Sequence, residues 1–427
     1  MSRNGAGVYS LPAGNPVVTG TTISSTWANT SLSDIATALT QSLAKDGQTV
    51  PTANIPLGGF KITGLGAPTV AGDALAYGSS LGAVTATTGT FSGNVQMASA
   101  NGGQLAGLRN KIINGNMLVN QRGATASAIT GSSAYYLDRW IAVTNTTPSG
   151  TLTVGQQTVA VSEATSSNAC LRLAKTAGTY LGQLVTAQAF ESGTSWGLAG
   201  KTVTISFKAR KGSSYTGAAL PIVIVRSGTG LDQSAALLTS NAWTGAAQTI
   251  VSLTGTLTTS MSDFSGTATI PASATQVGVV VISNYATATT GSANDYLDIT
   301  DVQLEVGPVA TPFEQRPIGM ELALCQRYYI QFQASNFFGS GQLRTGGLTS
   351  YGLISTPVQM RVSPTATPNT GGVYVGDTQT AYTSLGINSA QPNGIFCAPT
   401  FATAAGTVKD FFMIINGSSA VGLSAEL

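Results

Sequence analysis

The chemistry open to this protein is limited by the residue types that its sequence lacks. The 427 residues include no histidine and three cysteines. Nucleophilic sites of the Ser/His/Asp and Cys/His kinds are therefore excluded, and the usual proton shuttle near neutral pH is missing. No CxxC pair is present, so a structural zinc site is disfavoured. Cys170, Cys325 and Cys397 are odd in number and widely separated, which predicts reduced, packed thiols rather than disulfides.

Carboxylates are the remaining candidates for catalysis, because two of them several ångströms apart are sufficient for glycoside hydrolysis. The candidates are Asp138, Glu163, Glu191, Asp232, Asp263, Asp295, Asp298, Asp301, Glu305, Glu314 and Glu321. No pair among them is distinguished by its spacing. The sequence therefore predicts a protein that is not an enzyme and that needs no cofactor.

Three aspartates near one another, Asp295, Asp298 and Asp301, could supply the oxygen ligands that calcium prefers. Strand alternation would place Asp298 and Asp301 on opposite faces, so convergence on one ion would require a bulge. We therefore expect solvated carboxylates at a strand end and no metal site.

Aromatic rings among amide and hydroxyl side chains suit the apolar faces and the hydroxyl groups of sugars. The C-terminal part of the chain has this composition. The rings predicted to contact a glycan are Phe337, Phe338, Tyr351, Tyr374, Tyr382 and Trp243. Trp196 is a second loop ring of the same kind as Trp243. Core packing remains the alternative for each ring.

Charge is scarce in this chain. There are 19 lysines and arginines and 17 aspartates and glutamates, for a net charge of +2, which creates no long-range field for phosphates or anionic lipid. No stretch reaches the roughly 20 apolar residues of a membrane span, and residues 1–15 have no apolar core of the signal-peptide kind. We expect no nucleic-acid partner, no membrane insertion, and synthesis in the cytoplasm. Because a neutral surface protects poorly against aggregation, we also expect an obligate oligomer.

Hydrophobic alternation over residues 109–317 predicts an antiparallel β-sandwich of the jelly-roll kind. The clearest segment is 202–210, in which Val203, Ile205 and Phe207 alternate with polar residues and should face the core. In the stretch YYLDRW, the aromatic rings predict core packing, with a local ion pair between Asp138 and Arg139.

Two elements are predicted before the sandwich. Residues 31–44 have a helical pattern in which Ser31 and Asp34 take the form of a capping box. This amphipathic helix would pack within a small anchor domain or in a bundle between subunits. Farther along, Phe60 and Ile62 alternate as in a short strand closed by a turn. Such a strand cannot bury its own face, whereas three copies from three chains could, as in a thin β shaft.

Several segments resemble those of phage tail-fibre proteins. The N-terminal segment of those proteins is similar to SRNGAGVYSLPAGNPVVTGTTISSTWANTSLSDIATALT, and their short shaft repeat resembles IPLGGFKITGLGAPTVAGDALAYG. Their carbohydrate-binding-module-like domain resembles, in the same order, NKIINGNMLVNQRG, YYLDRW, LAGKTVTISFKARKG, DITDVQLEVGPVATPFEQRP and GMELALCQRYY. In that family the sandwich lies between shaft and tip, and a C-terminal region ending in Ala-Glu-Leu carries the variable receptor-facing surface.

The resemblance implies a homotrimeric, mainly β fibre in the virion, held by phage tail or baseplate proteins. The residues implied in virion attachment are Trp27, Leu32, Ile35 and Leu39. The predicted regions are 1–56 for attachment, 57–108 for shaft and linker, 109–317 for the sandwich and 318–427 for a β-rich receptor-binding tip.

The function that these expectations favour is adsorption to a host-surface polysaccharide, either lipopolysaccharide or capsule. Two alternatives stay open. One is a tailspike that cleaves the glycan, and the other is a structural adaptor that carries another fibre protein.

Overall fold

The computed structural model describes residues 18–40, 108–332, 337–344, 349–366, 371–375, 378–382, 384–392, 394–401, 405, 411–416 and 421–427. The chain forms two compact units, Met1–Asn94 and Val95–Leu427. The predicted shaft and linker, residues 57–108, lie outside the described residues except for Leu108.

In the first unit the structure describes helix α1, Ser25–Thr40. The helix begins earlier than the capping-box pattern indicates, because the hydroxyl of Ser24 accepts a hydrogen bond from the backbone N–H of Trp27 at 3.2 Å. Ser24 thereby satisfies one of the free donors at the helix start. Ser31 is instead a buried residue within the helix. The predicted helix is confirmed as far as Thr40 and its predicted start was wrong, while residues 41–44 of the prediction lie outside the described residues.

The second unit consists mostly of strands. They are β1 (Ser127–Ala128), β2 (Ala134–Leu137), β3 (Trp140–Thr144), β4 (Gly150–Thr158), β5 (Ala169–Gly178), β6 (Gly182–Ala189), β7 (Thr202–Lys211), β8 (Ile222–Gly228), β9 (Ala247–Val251), β10 (Ser262–Thr269), β11 (Gln276–Tyr285), β12 (Tyr296–Val306), β13 (Tyr329–Phe332), β14 (Phe337–Arg344), β15 (Thr349–Ser355), β16 (Thr365–Ala366), β17 (Gly371–Val375), β18 (Thr378–Tyr382), β19 (Ser384–Gln391), β20 (Gly394–Thr400), β21 (Phe411–Asn416) and β22 (Val421–Ser424). The helices are α2 (Ser192–Ser195), α3 (Ala235–Thr239) and α4 (Ile318–Gln326), with 3₁₀ turns at Val161–Glu163 and Trp196–Leu198.

Strands β1 to β12 form a sandwich of two six-stranded sheets, in the orders β1-β4-β5-β12-β7-β10 and β2-β3-β6-β11-β8-β9. Neighbouring strands are antiparallel, as in the pairs β7 with β10 and β6 with β11. Val203, Ile205 and Phe207 are buried, and the rings of Phe207 and Phe264 stack with centroids 5.4 Å apart. The predicted antiparallel sandwich is confirmed, because alternation with a period of two places one side of each strand on the core.

The C-terminal strands form two further sheets, a three-stranded one in the order β13-β22-β16 and a seven-stranded one in the order β18-β17-β21-β14-β15-β20-β19. One face of the seven-stranded sheet packs on a small core that includes Leu343, Ile354, Cys397, Phe412 and Ile414. The mainly β fold expected for this region is confirmed.

All three cysteines are buried and free, as predicted. The expectation for the three aspartates was wrong, since Asp295, Asp298 and Asp301 are buried rather than solvated. Strand β12 does contain the irregularity that convergence would need, between Thr300 and Gln303. The carboxylates nevertheless take different partners, because donors from distant strands and loops reach each of them.

Asp298 accepts from Arg172 at 2.7 Å and from Arg210 at 2.9 Å. Asp301 accepts from the backbone N–H of Ser166 at 2.9 Å. Asp295 lies 3.3 Å from the ammonium group of Lys175. Within the described residues, no cluster of three or more potential metal-ligating side chains occurs.

Candidate functional site

Strand register brings a set of side chains onto one face of the seven-stranded sheet. Residues directly opposite each other in paired antiparallel strands point to the same face. Six such positions, one from each of six neighbouring strands, form what we call the aromatic row. In order across the sheet these residues are Gln379, Tyr374, Met413, Ser340, Leu353 and Phe396.

The row lies on the face away from the core. Met413, Leu353 and Phe396 are 48%, 53% and 45% exposed. Their chain neighbours Phe412, Ile354 and Cys397 are buried, as strand alternation requires. The row is therefore an exposed strip with four apolar or aromatic members and two polar ones, Ser340 and Gln379, across a sheet that packs on a core on its other side.

Tyr351 adds a second ring to one end of the row. It lies two residues before Leu353 on β15, and its ring stacks on that of Phe396 with centroids 5.5 Å apart and 25° between the planes. Tyr351 is 38% exposed. At the other end, the hydroxyl of Tyr374 donates to the amide oxygen of Gln379 at 3.4 Å. Rings with amides and hydroxyls nearby match the apolar faces and the hydroxyl groups of a pyranose.

Two of the predicted glycan-contacting rings, Tyr351 and Tyr374, belong to this face. Phe337, Phe338 and Tyr382 lie in β14 and β18, and their side chains are outside the described part of the chain.

Trp243 does not form an exposed ring. It is 4% exposed, its indole N–H donates to the carbonyl of Ser234 at 3.0 Å, and it shares an apolar cluster with Ala235 and Leu238 of α3. The prediction that Trp243 contacts a glycan was therefore wrong, because α3 and its loop cover the ring. Trp196, the other loop ring, is 61% exposed.

Sequence reasoning missed Leu353, Phe396 and Met413. The signal was present as alternation in GLIS, GIFCAPT and FFMIIN, where one apolar set can fill the core and the other must face outward. Which residues line up across the sheet depends on strand register, which alternation within one strand does not report.

The residues implied in virion attachment lie on α1. Leu32 and Leu39 are 64% and 68% exposed, while Trp27 and Ile35 are half-buried. Since Leu32 and Leu39 are two helical turns apart, they lie on one side of the helix. Among the described residues, no helix is both long and apolar enough to cross a bilayer.

A second surface with sugar-compatible chemistry is a groove of about 710 Å³ on the sandwich, beside β7 and β10. Its lining includes hydroxyls from Ser166, Ser206 and Ser265, and the half-buried ring of Phe313. Lys208 and Asp263, which also line it, pair with each other at 2.8 Å. Phe207 and Phe264 also line the groove but are buried, so Phe313 is its one partly exposed ring, whereas the aromatic row with Tyr351 has three rings.

Carboxylates of the sandwich are already held by hydrogen-bond donors. Burial raises the pKa of Asp138 to about 6, while Arg122 and Gln121 oppose that rise. The acceptors between residues 108 and 332 and their donors are Asp138 with Gln121, Glu163 with Arg210, Glu191 with Arg327, Asp232 with Ser192, Asp263 with Lys208, Asp295 with Thr216, Asp298 with Arg172, Asp301 with Ser166, Glu305 with Thr311, Glu314 with Asn110 and Glu321 with Asn114. Each of these carboxylates therefore accepts a hydrogen bond within the fold, although Asp263 is 83% exposed.

The local ion pair predicted in YYLDRW does not form. Trp140 is buried as expected, but Asp138 accepts from Gln121 at 2.6 and 2.7 Å, and Arg139 pairs with Glu426. The C-terminal segment thus supplies a partner that adjacency in sequence did not suggest.

No family model and no curated protein matches this chain. The solved structures similar to part of it include the following three. The enzymatically active domain of tailspike protein 4 of bacteriophage CBA120 is 11% identical with a TM-score of 0.29, over 46% of this chain and 21% of that one. The CBM22-2 xylan-binding domain from Paenibacillus barcinonensis is 15% identical with a TM-score of 0.25, over 39% of this chain and 91% of that one. The family 30 carbohydrate-binding module of a cellulosomal cellulase of Clostridium thermocellum is 15% identical with a TM-score of 0.20, over 42% and 92%.

This chain thus spans about a fifth of the tailspike structure, 21% of its length. The structures similar to this chain include a phage tailspike domain and carbohydrate-binding modules. With TM-scores of 0.20 to 0.29, these similarities are too weak to transfer a function to it.

Proposed function

We propose that this chain is a bacteriophage tail fibre that binds a host-surface polysaccharide through the aromatic row, without cleaving it. The observation that carries the proposal is the exposed stacked pair Tyr351 and Phe396, continuous with the rest of the row. Single exposed apolar side chains need no explanation, but a group of adjacent ones, here Tyr351, Leu353 and Phe396, marks an interaction surface.

The dimensions of the row suit an extended ligand. It crosses six strands, β18-β17-β21-β14-β15-β20, and strands lie about 4.8 Å apart, so it spans about 24 Å. A polysaccharide lying across the strands would meet Phe396, Leu353, Ser340, Met413 and Tyr374 in succession. None of the six row residues is charged, so the row suits the neutral faces of sugar rings.

Binding without cleavage is favoured because the sandwich carboxylates are occupied. Glycoside hydrolysis needs one carboxyl group to donate a proton and another to act as a base or nucleophile. Asp298, for example, is held by two arginines, and Glu191 by Arg327 and Tyr328. These donors hold the carboxylates in structural roles, and this supports a binding protein over a glycan-cleaving tailspike.

Attachment to the virion is proposed for the N-terminal region, with the exposed side of α1 at Leu32 and Leu39 facing a tail or baseplate protein. A homotrimer is proposed for two reasons. The resemblance to phage tail fibres implies one, and a surface with little charge is better protected from aggregation when other subunits cover it. Three tips in one fibre would multiply weak contacts into lasting adsorption without new chemistry.

The test is to replace Phe396 or Tyr351 by alanine and measure retention of the purified protein on host cells and on their lipopolysaccharide. Each change should weaken adsorption by about tenfold, equivalent to about 1.4 kcal/mol for one lost ring contact. Trp196→Ala is the matched control, since it removes an exposed ring from the sandwich, and it should change adsorption by less than about twofold. Release of reducing ends is assayed in the same samples.

If both row variants adsorbed as well as the parent, the row would not be the glycan-binding site. If Trp196→Ala lost adsorption, the site would lie on the sandwich. Release of reducing ends would favour the glycan-cleaving tailspike. If the full chain is not retained on any host preparation but binds another phage fibre protein, it is a structural adaptor.

A further inference from the structure

The last residues of the sequence are held by partners from several parts of the second unit. Strand β22 lies between β13 and β16 in the three-stranded sheet, pairing Leu423 with Ile330 and with Ala366. Leu423 is fully buried. Beyond the strand, the backbone N–H of Ala425 donates to the carbonyl of Tyr328 at 2.7 Å. The segment enters its site as an added strand, a known mode of peptide recognition.

The carboxylate of Glu426 is bound by two arginines. One oxygen accepts from Arg122 at 2.9 Å and the other from Arg139. The guanidinium of Arg122 lies 3.6 Å from the ring centroid of Tyr329, and that of Arg139 lies 3.6 Å from the centroid of Tyr328. Charge-assisted hydrogen bonds and cation–π contacts of this kind are among the stronger polar interactions in proteins.

Backbone carbonyls of the same segment are also recognised. Arg361 donates to the carbonyls of Ala425 and Glu426 at 2.9 and 2.8 Å. The backbone oxygen of Leu427 accepts from the N–H of Ala235 at 3.1 Å and from the hydroxyl of Tyr135 at 3.2 Å.

The side chain of Leu427 is anchored in an apolar pocket. It is 8% exposed and belongs to the same cluster as Ile141, Leu238 and Trp243 on the sandwich. Residues 421–427 are therefore bound through backbone, charge and an apolar anchor at once.

Arg139 shows that the sandwich depends on this segment. Its side chain is 1% exposed. Its backbone φ is 69°, in the left-handed region that residues other than glycine rarely adopt. Burial opposes its charge, yet Glu426 raises the pKa of Arg139. Without Glu426 the sandwich would bury a cation that has no carboxylate partner, which is strongly unfavourable.

We infer that residues 421–427 act as a latch that fixes the C-terminal sheets to the sandwich. The sandwich carries the site that accepts Glu426 and Leu427, while the C-terminal three-stranded sheet takes residues 421–424 as its central strand. The recognised chemistry is a strand followed by Ala-Glu-Leu, with the glutamate as the specific contact. The latch does not depend on any glycan. It predicts that the sandwich and the C-terminal sheets unfold together.

The first test compares amide hydrogen exchange in the full chain carrying Glu426→Gln and in one carrying Glu163→Gln. Glu163 also binds an arginine, Arg210, at 3.1 Å, but on the outer face of the sandwich, so it is a matched control. Glu426→Gln should speed exchange in β13, β16 and β22 at least about tenfold, because the buried charge pair is broken. Equal exchange in the two variants would overturn the latch.

The second test distinguishes opening of the latch from general damage, and its first step, disulfide formation in the parent protein, does not need Glu426→Gln. Ala235→Cys and Leu427→Cys place two thiols at neighbouring positions, since the Ala235 nitrogen and the Leu427 oxygen are 3.1 Å apart and both side chains belong to one apolar cluster. Oxidation should give a disulfide within one chain, seen as a single-chain band without reductant. In the Glu426→Gln background it should return exchange in β22 to within about twofold of the parent rate. A disulfide between chains, or exchange that stays fast after closure, contradicts the inference.

Discussion

The outer faces of two sheets in the second unit differ although both sheets are antiparallel and pack one face on a core. On the sandwich sheet that contains β5, β12 and β7, Arg172 and Arg210 share the carboxylate of Asp298, and Arg172 lies 3.5 Å from the ring centroid of Tyr296. On the seven-stranded sheet, the corresponding face presents Leu353, Phe396 and Met413 to solvent. The charged groups on the first face are paired with one another, whereas the aromatic rings on the second face are accessible to a ligand.

This difference shows that the same β architecture supports two roles according to what its outward positions carry. Charge pairs on the sandwich stabilise a platform, and their removal should be costly for folding. Exposed rings on the other sheet contribute little to folding, so their removal should be visible in binding rather than in stability.

Among the charged residues, the largest effect is expected from Asp298→Ala, which leaves Arg172 and Arg210 without their shared carboxylate. Its side chain is fully buried, while those of the arginines are 24% and 14% exposed. The free energy of unfolding should fall by about 3 kcal/mol, as for a broken buried ion pair, measured by urea unfolding. Asp263→Ala is the control, because Asp263 is 83% exposed beside Lys208, and it should cost about 0 to 1 kcal/mol. Similar losses in both variants would mean that the sandwich face is not a buried network.

An effect of at most the same size, and one that depends on pH, is expected from Asp138, which lies where the sandwich meets the C-terminal strands. Gln121 donates through its side-chain N–H₂ to Asp138 at 2.7 Å and to the carbonyl of Tyr329 at 2.8 Å. Burial raises the pKa of Asp138 from 3.8 to about 6, with Arg122 opposing the rise and Glu426 adding to it. The folded protein therefore holds this proton more tightly than the unfolded chain does. The stabilisation is complete below pH 4 and is lost as the pH rises to about 6, for a total of up to about 3 kcal/mol.

Asp138→Asn should remove this part of the pH dependence, as measured by urea unfolding at several pH values between 4 and 7. Asp263→Asn, at an exposed position, should keep the parent profile. If the free energy of unfolding of Asp138→Asn changed between pH 4 and 6 as steeply as that of the parent, Asp138 would not be a buried acid in solution.

The smallest effect on stability is expected from Leu353→Thr in the aromatic row. Leu353 is 53% exposed, so the free energy of unfolding should change by less than about 0.5 kcal/mol. Its neighbour Ile354 is fully buried, and Ile354→Ala should cost about 2 to 5 kcal/mol. Thermal unfolding of the two variants measures the difference. Equal destabilisation would indicate that another subunit covers the row in solution, which would replace glycan binding there.

Much of the strand content was predictable because alternation is local. Val203, Ile205 and Phe207 were assigned to the core from their spacing, and burial of all three confirms it. Helix α1 was likewise predicted from its spacing, but its start was not, since the choice between Ser24 and Ser31 as the cap depends on which hydroxyl meets a free backbone N–H.

Predictions about partners failed where contacts connect distant parts of the chain. Arg139 was expected to pair with its neighbour Asp138 and instead binds Glu426. Trp243 was expected in an exposed loop and is buried under α3. Neither partner can be inferred from spacing, because the segments that meet are brought together by sheet order and not by sequence proximity.

The amino-acid sequence by itself determined the absence of histidine chemistry, the low charge and the alternating strands, because residue types and a period of two are properties of the chain. The tertiary structure decided which face of the seven-stranded sheet carries Phe396 with Tyr351, and which arginines hold Glu426. Those outcomes depend on strand register and on long-range packing. A shift of one residue in register would move every side chain of a strand to the opposite face of the sheet.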